Sequence, residues 1–174
     1  MSEEGPRPIE DKGKITILIV EDDPKHVDIL RGYLEPEGYQ LRVAETQAQA
    51  MEVLETGPPD LAILDLMLEE GKDLSRPKGY EVCRGLRQNP KTAGIPVLMF
   101  TVLDQLEQIE RGVEVEADDY LVKFSSAPEV RFRVEKLLEV RHIKNKAFRT
   151  ITYLRLLERG RPDVSGSADP PDGR

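Results

Sequence analysis

The 174-residue sequence has no tryptophan, one cysteine and only 5% aromatic residues. A core so poor in aromatics must be built from aliphatic side chains, which suits an α/β protein better than a Tyr-rich sandwich. Cys83 has no second cysteine with which to close a disulfide, which excludes a disulfide-stapled secreted scaffold. No apolar run approaches the ~20 residues that span a bilayer. The longest, ITILIV, is strand-sized. The opening MSEEGPRPIEDKGK is acidic and has no apolar stretch of the kind a secretory signal needs. No P-loop, dinucleotide fingerprint or Cys/His metal spacing occurs. These absences lead to the expectation of a soluble, cytoplasmic protein.

Charge is plentiful but uneven. The chain carries a net −8, yet residues 141–161 hold seven Lys/Arg against one Glu, and residues 1–140 carry −12. An acidic body of this kind speaks against general nucleic-acid or membrane binding, and only the late basic segment leaves that option open.

Five apolar runs alternate with helix-like stretches: ITILIV (15–20), YQLRVA (39–44), LAILD (61–65), IPVLMF (95–100) and DYLVK (119–123). The first, third and fourth are almost continuously apolar, as strands buried on both faces of a parallel sheet are. The second alternates like an edge strand. Asp23-Pro24, Thr46 and Ser126-Ala127-Pro128-Glu129 supply helix starts. Further helices are expected at about 79–88 and 103–115. Alternating βα units predict a flavodoxin-like doubly wound α/β fold, five parallel strands in the order 2-1-3-4-5. The site of such a sheet lies beyond the carboxyl ends of its strands.

Those ends carry Glu21, Asp22 and Asp23 after the first strand and Asp65 at the end of the third. Thr101 follows the fourth, and Lys123 closes the fifth. Taken singly, each could be a solvated loop residue or a helix cap, and Asp23 is expected to be a cap. Together they bring two or three carboxylates, a hydroxyl and an ammonium to one cleft. Such carboxylates repel unless a hard cation sits among them, and Mg²⁺ suits one or two carboxylates with phosphate oxygens. A nucleophilic Asp beside a metal and a Lys can form an aspartyl phosphate.

The segments ILIVEDDP, PDLAILDLML, GYEVCRGLRQNPKTAGIPVLMFT and ADDYLVK closely resemble response-regulator receiver domains of two-component signalling, over roughly residues 14–140. The resemblance implies Asp65 as phosphoacceptor, with a histidine kinase or phosphotransfer protein as donor. It implies Mg²⁺ (or Mn²⁺) held by Asp22, Asp65 and the backbone carbonyl of Met67, with Glu21 acting indirectly. Lys123 would contact the phosphoryl group, Thr101 would be the switch hydroxyl, and Tyr120 the coupled aromatic. The domain would signal and not act as an enzyme, apart from some phosphotransfer and hydrolysis chemistry of its own.

The sequence departs from the family in four places. The loop after Asp65, LMLEEGKDLSRPKGYE, is about six residues longer than usual, which loops tolerate readily. Phe124 follows Lys123 where the family has proline. A cis bond there would cost ~2.5–4 kcal/mol, so a trans bond is expected. Val102 stands where the family mostly has a small residue and would narrow access to the phosphoryl group, and Met67 and Leu103 offer no polar group to position an attacking water, which predicts slow loss of the phosphoryl group. Finally, no Gly or Pro interrupts the chain from Pro128 to Gly160, so the last helix is expected to continue to about Arg159. Ile143, Ala147, Ile151, Leu154 and Leu157 form its heptad-like stripe. Homodimeric pairing through that stripe is the favoured expectation, with folding back or a basic binding surface as alternatives.

The expected layout is a flexible arm at 1–13, a receiver domain at 14–142, a helical extension at 143–159 and a disordered tail at 160–174. No known output domain fits the remaining length, so a stand-alone, chemotaxis-regulator-like receiver is expected, acting on an unknown downstream protein. Three other readings compete. A phosphatase of the haloacid-dehalogenase type needs a second Asp two residues after its nucleophile, where this chain has Met67. A flavodoxin-type carrier would set its phosphate against Glu21 and Asp22. A phosphorylation-independent scaffold or dimerisation module stays open because of Phe124, Val102 and the long loop.

Overall fold

The computed structural model describes residues 4–68, 77–102 and 116–160. Five strands, β1 (Thr16–Val20), β2 (Gln40–Ala44), β3 (Leu61–Asp65), β4 (Val97–Thr101) and β5 (Asp119–Val122), form one parallel sheet in the order β2-β1-β3-β4-β5. This is the predicted flavodoxin-like topology. The helices are α1 (Pro24–Leu34), α2 (Gln47–Thr56), α3 (Lys78–Gln88), α4 (Ala127–Val140) and α5 (Lys146–Gly160). Most of the enlarged loop and the helix expected at 103–115 lie outside the described residues, as does the tail beyond residue 160.

Strand alternation divides the core into two halves. Ile17, Ile19, Ile63, Leu98 and Phe100 face Leu30 and Leu34 of α1 and Val130, Val134 and Leu137 of α4. Leu18, Val20, Ala62, Leu64, Val97 and Met99 face Ala50 and Leu54 of α2 and Val82 and Leu86 of α3. Every residue of β3 and β4 is buried, whereas β2 is mostly half-exposed, as a central pair and an edge should be. The predicted caps are formed. Asp23 accepts from Lys25 N, Thr46 from Gln49 N and Ser126 from Glu129 N.

Two expectations fail. Residues 4–13 lie against the body: Arg7 N donates to Glu139 O (2.9 Å), His142 Nε2 lies 3.0 Å from Gly5 O, and Ile9 packs on the core. The arm is therefore docked along this stretch. The continuous last helix is also wrong. The chain turns after Val140, with Ile143 N bonded to Val140 O at 3.0 Å, and restarts at Asn145, whose Oδ1 accepts from Phe148 N at 3.0 Å. Asn145 is thus a helix cap, a stop-and-start signal that needs neither Gly nor Pro.

From that turn α5 runs back along α4, bringing Gly160 beside the Phe132 ring. Its inward face is not the expected stripe. Ile143 is buried and Leu157 half-buried, but Ala147, Ile151 and Leu154 are exposed. Arg149, Thr152 and Tyr153 take their place inside, with Phe148 and Leu156 at the margin. Two buried anchors hold this face. Arg149 Nη2 meets Asp118 Oδ1 at 2.9 Å and its Nη1 donates to Gly94 O at 2.9 Å, while the Tyr153 hydroxyl bonds Asp119. Asp118 is also bound by Arg87 and by Val97 N, both at 2.8 Å.

Candidate functional site

The parallel register sets the tips of β1, β3, β4 and β5 side by side: Val20 pairs with Leu64, Asp65 with Phe100, and Thr101 with Val122. Residues one step beyond these pairs converge at the carboxyl edge of the sheet. Glu21, Asp65, Thr101 and Lys123 are all buried there, at 1%, 2%, 3% and 5% exposure, and Asp22 is half-buried beside them.

Lys123 Nζ lies 2.9 Å from Glu21 Oε2 and 3.1 Å from Asp65 Oδ1. Asp65 Oδ1 also accepts from Met67 N at 3.1 Å, and Glu21 Oε1 from Asp23 N at 3.0 Å. Burial raises the pKa of Glu21, and the neighbouring Asp65 charge adds to the rise. Burial opposes the Lys123 ammonium, but Asp65 and Glu21 outweigh it and hold its pKa above the ordinary lysine value.

One ammonium does not balance three carboxylates. Glu21, Asp22 and Asp65 each place an oxygen within 4.8 Å of the others, and Asp65 Oδ2 is buried without a hydrogen-bond partner among the described residues. Hard oxygen donors around an orphaned carboxylate oxygen fit a divalent cation of the Mg²⁺ type. Both Glu21 oxygens are engaged, by Lys123 and by Asp23 N, whereas Lys123 and Met67 N take only Oδ1 of Asp65, which leaves Asp22 and Asp65 Oδ2 as the freer donors.

Tyr120 turns the opposite way from Asp119, into the core half that holds α3, where it lies against Tyr80 and Cys83. Burial raises its pKa above the ordinary phenol value. The Lys123–Phe124 bond is trans, as predicted, for the described residues contain no cis peptide bond. Phe124 is 78% exposed and Val102 is 42% exposed, both next to the cleft. Leu103 lies outside the described residues.

Sequence reasoning missed two participants. His26, in the first turn of α1, reaches Lys123 Nζ with Nδ1 at 3.2 Å. Its only sequence signal was a position three residues after the Asp23 cap. Gly79 starts α3 directly over the Asp65 loop, its N–H donating to Leu66 O at 3.0 Å. A Cβ there would sit 2.2 Å from Asp65 O and 2.7 Å from Leu66 Cα, both backbone atoms that cannot swing aside. Gly79→Ala should therefore cost about 3 kcal/mol by overpacking, read as a lower urea midpoint. An unchanged midpoint would show that α3 can move off the loop freely.

These features define a class: a doubly wound sheet with an acidic, lysine-closed cleft at its carboxyl edge. Residues 17–135 match the family model of the response regulator receiver domain, and the chain belongs to that family. It is 38% identical over 122 residues to the DNA-binding dual master transcriptional regulator RpaA of Synechocystis, covering 70% of this chain and 48% of that protein. It is also 38% identical over 122 residues to the phosphate regulon transcriptional regulatory protein PhoB of Rhizobium meliloti, covering 70% and 51%. The chain thus spans about half the length of these relatives. Among solved structures, the signal receiver domain of a signal transduction histidine kinase from Syntrophus aciditrophicus superposes with a TM-score of 0.62. Its identity is 33%, over 71% of this chain and 89% of that one. No helix among the described residues is long and apolar enough to cross a membrane.

Proposed function

We propose that Asp65 accepts a phosphoryl group from the phosphohistidine of a histidine kinase or phosphotransfer protein, making the chain a phosphorylation-dependent protein-interaction switch. The supporting observation is the asymmetry of its carboxylate. Oδ1 is held by Lys123 and Met67 N, while Oδ2 is buried without a hydrogen-bond partner among the described residues. The Asp65 carboxylate attacks phosphorus through one of its oxygens, the P–N bond breaks, and the imidazole leaves with the electron pair and takes up a proton. Asp22, Asp65 and the Met67 carbonyl would hold Mg²⁺ or Mn²⁺, with Glu21 acting indirectly. The ion supplies positive charge against the phosphoryl oxygens. Lys123 would pair with the same oxygens.

The phosphoryl group brings charge and acceptor oxygens to Asp65. Thr101 turns its hydroxyl towards them, Tyr120 settles into the space behind, and the surface around β5 shifts between two states. Nucleic acid is outside this reading, because residues 1–140 carry −12. Pairing of two copies through the C-terminal helix now has a narrower basis. Of the five expected contact residues only Ala147, Ile151 and Leu154 remain exposed.

The test is incubation of the full chain with Mg²⁺ and acetyl phosphate, followed by mass and size measurement. Wild type should gain one phosphoryl group and Asp65→Ala none. Equal labelling of both would place the acceptor elsewhere and favour a scaffold role. After donor removal the phosphoryl group should persist for minutes or longer, since Met67 offers no polar group to guide water. Loss within seconds contradicts the slow reset.

A further inference from the structure

The buried lysine of the cleft has more company than the acidic pair alone provides. Its ammonium carries three N–H donors and no acceptor. Three acceptors surround it: Glu21 Oε2 at 2.9 Å, Asp65 Oδ1 at 3.1 Å and His26 Nδ1 at 3.2 Å. Towards an ammonium, which can only donate, Nδ1 takes the acceptor's role; the same nitrogen lies 3.5 Å from Glu21 Oε2 and 3.7 Å from Asp23 Oδ2. The imidazole is 22% exposed and comes from α1, a different element from either carboxylate, so the three contacts approach from three supports.

We propose that His26 is a positioning residue for Lys123, the third leg of a tripod that keeps the ammonium aimed at Asp65. This inference rests on the reading of Asp65 as phosphoacceptor. The need for a third leg follows from the chain after Lys123. Phe124 projects into solvent and the peptide before it is trans, so neither a packed side chain nor a proline ring stiffens the loop. The contact also has a chemical merit. When Asp65 becomes an acyl phosphate the negative charge moves outward onto the phosphoryl oxygens, and the ammonium must turn to them without drifting from the cleft. A ring nitrogen, unlike a third carboxylate, holds one N–H through that change without adding a negative charge that would compete for the ammonium.

Asparagine can offer Oδ1 near the place of Nδ1, whereas leucine offers only bulk. With Mg²⁺ and saturating acetyl phosphate, His26→Leu should phosphorylate about tenfold more slowly than wild type, the worth of one hydrogen bond to a charged group. The half-saturating donor concentration should be unchanged, and His26→Asn should stay within about twofold of wild type. A second readout needs no phosphoryl transfer. The Lys123 ammonium resonance in ¹⁵N-edited NMR should be visible, protected from exchange, in wild type and His26→Asn, and lost in His26→Leu. Wild-type rates and an intact resonance in His26→Leu would overturn the proposal. Equal defects in both variants would also overturn it, because bulk and not the acceptor would then matter. If wild type takes up no phosphoryl group, the proposed function falls, while the resonance still decides the role of His26.

Discussion

Replacing Lys123 with methionine should destabilise the metal-free protein by about 3–5 kcal/mol, the usual cost of removing one partner from a buried ion pair. The side chains of Lys123, Glu21 and Asp65 are 5%, 1% and 1% exposed, so neither carboxylate can turn to water when the ammonium goes. Two like charges would then face each other in a dry cleft. Urea unfolding in the presence of a chelator measures the loss. Excess Mg²⁺ should narrow the gap to wild type, because a cation bound only by the folded state restores the missing positive charge. The gap should also narrow as pH falls. Glu21 already has a raised pKa, and protonating it in the folded state removes one of the two charges. Phosphoryl uptake should fall by about a hundredfold or more, as when a charge-stabilising group is lost. A methionine variant as stable as wild type in chelator would mean that the lysine does not balance the acids.

The second large effect lies at the other end of the molecule. Arg149→Ala should cost about 3 kcal/mol, the lower end of the range for a broken buried pair, because Asp118 keeps Arg87 and Val97 N. The loss should concentrate in α5, which relies on Arg149 and Tyr153 for its buried contacts with Asp118 and Asp119. Limited proteolysis should then cut within residues 146–160 in the variant and spare them in wild type. A helix projecting into solvent would gain nothing from Arg149, so an indifferent variant would restore the extended arrangement that the stripe suggested.

The two variants probe the parts of the chain that differed most in legibility. Asp65, Glu21, Asp22, Thr101 and Lys123 could be placed without coordinates, since strand period and βα alternation alone determine which residues stand at the carboxyl edge of a parallel sheet. The caps at Asp23, Thr46 and Ser126 were equally legible, because a cap is a contact between residues two or three apart. Asn145 is a cap of the same kind, and it was passed over because the helical pattern on either side of it never weakened. Arg149 counted only as one of the seven Lys/Arg of the basic segment 141–161. Nothing within its own helix distinguishes it from Lys146 or Arg155, and only Asp118, 31 residues away, and the Gly94 carbonyl draw it inside.

The sequence by itself therefore determined the strand order, the two halves of the core and the acidic, lysine-closed cleft around Asp65. Each of these follows from short-range periodicity combined with the handedness of βα crossovers. Tertiary structure alone decided that His26 reaches the lysine, that Gly79 must lie against the Asp65 loop, and that α5 folds back with Arg149 and Tyr153 inward. Those contacts join residues far apart in the chain, where an interaction between two particular side chains outweighs the local pattern of either one.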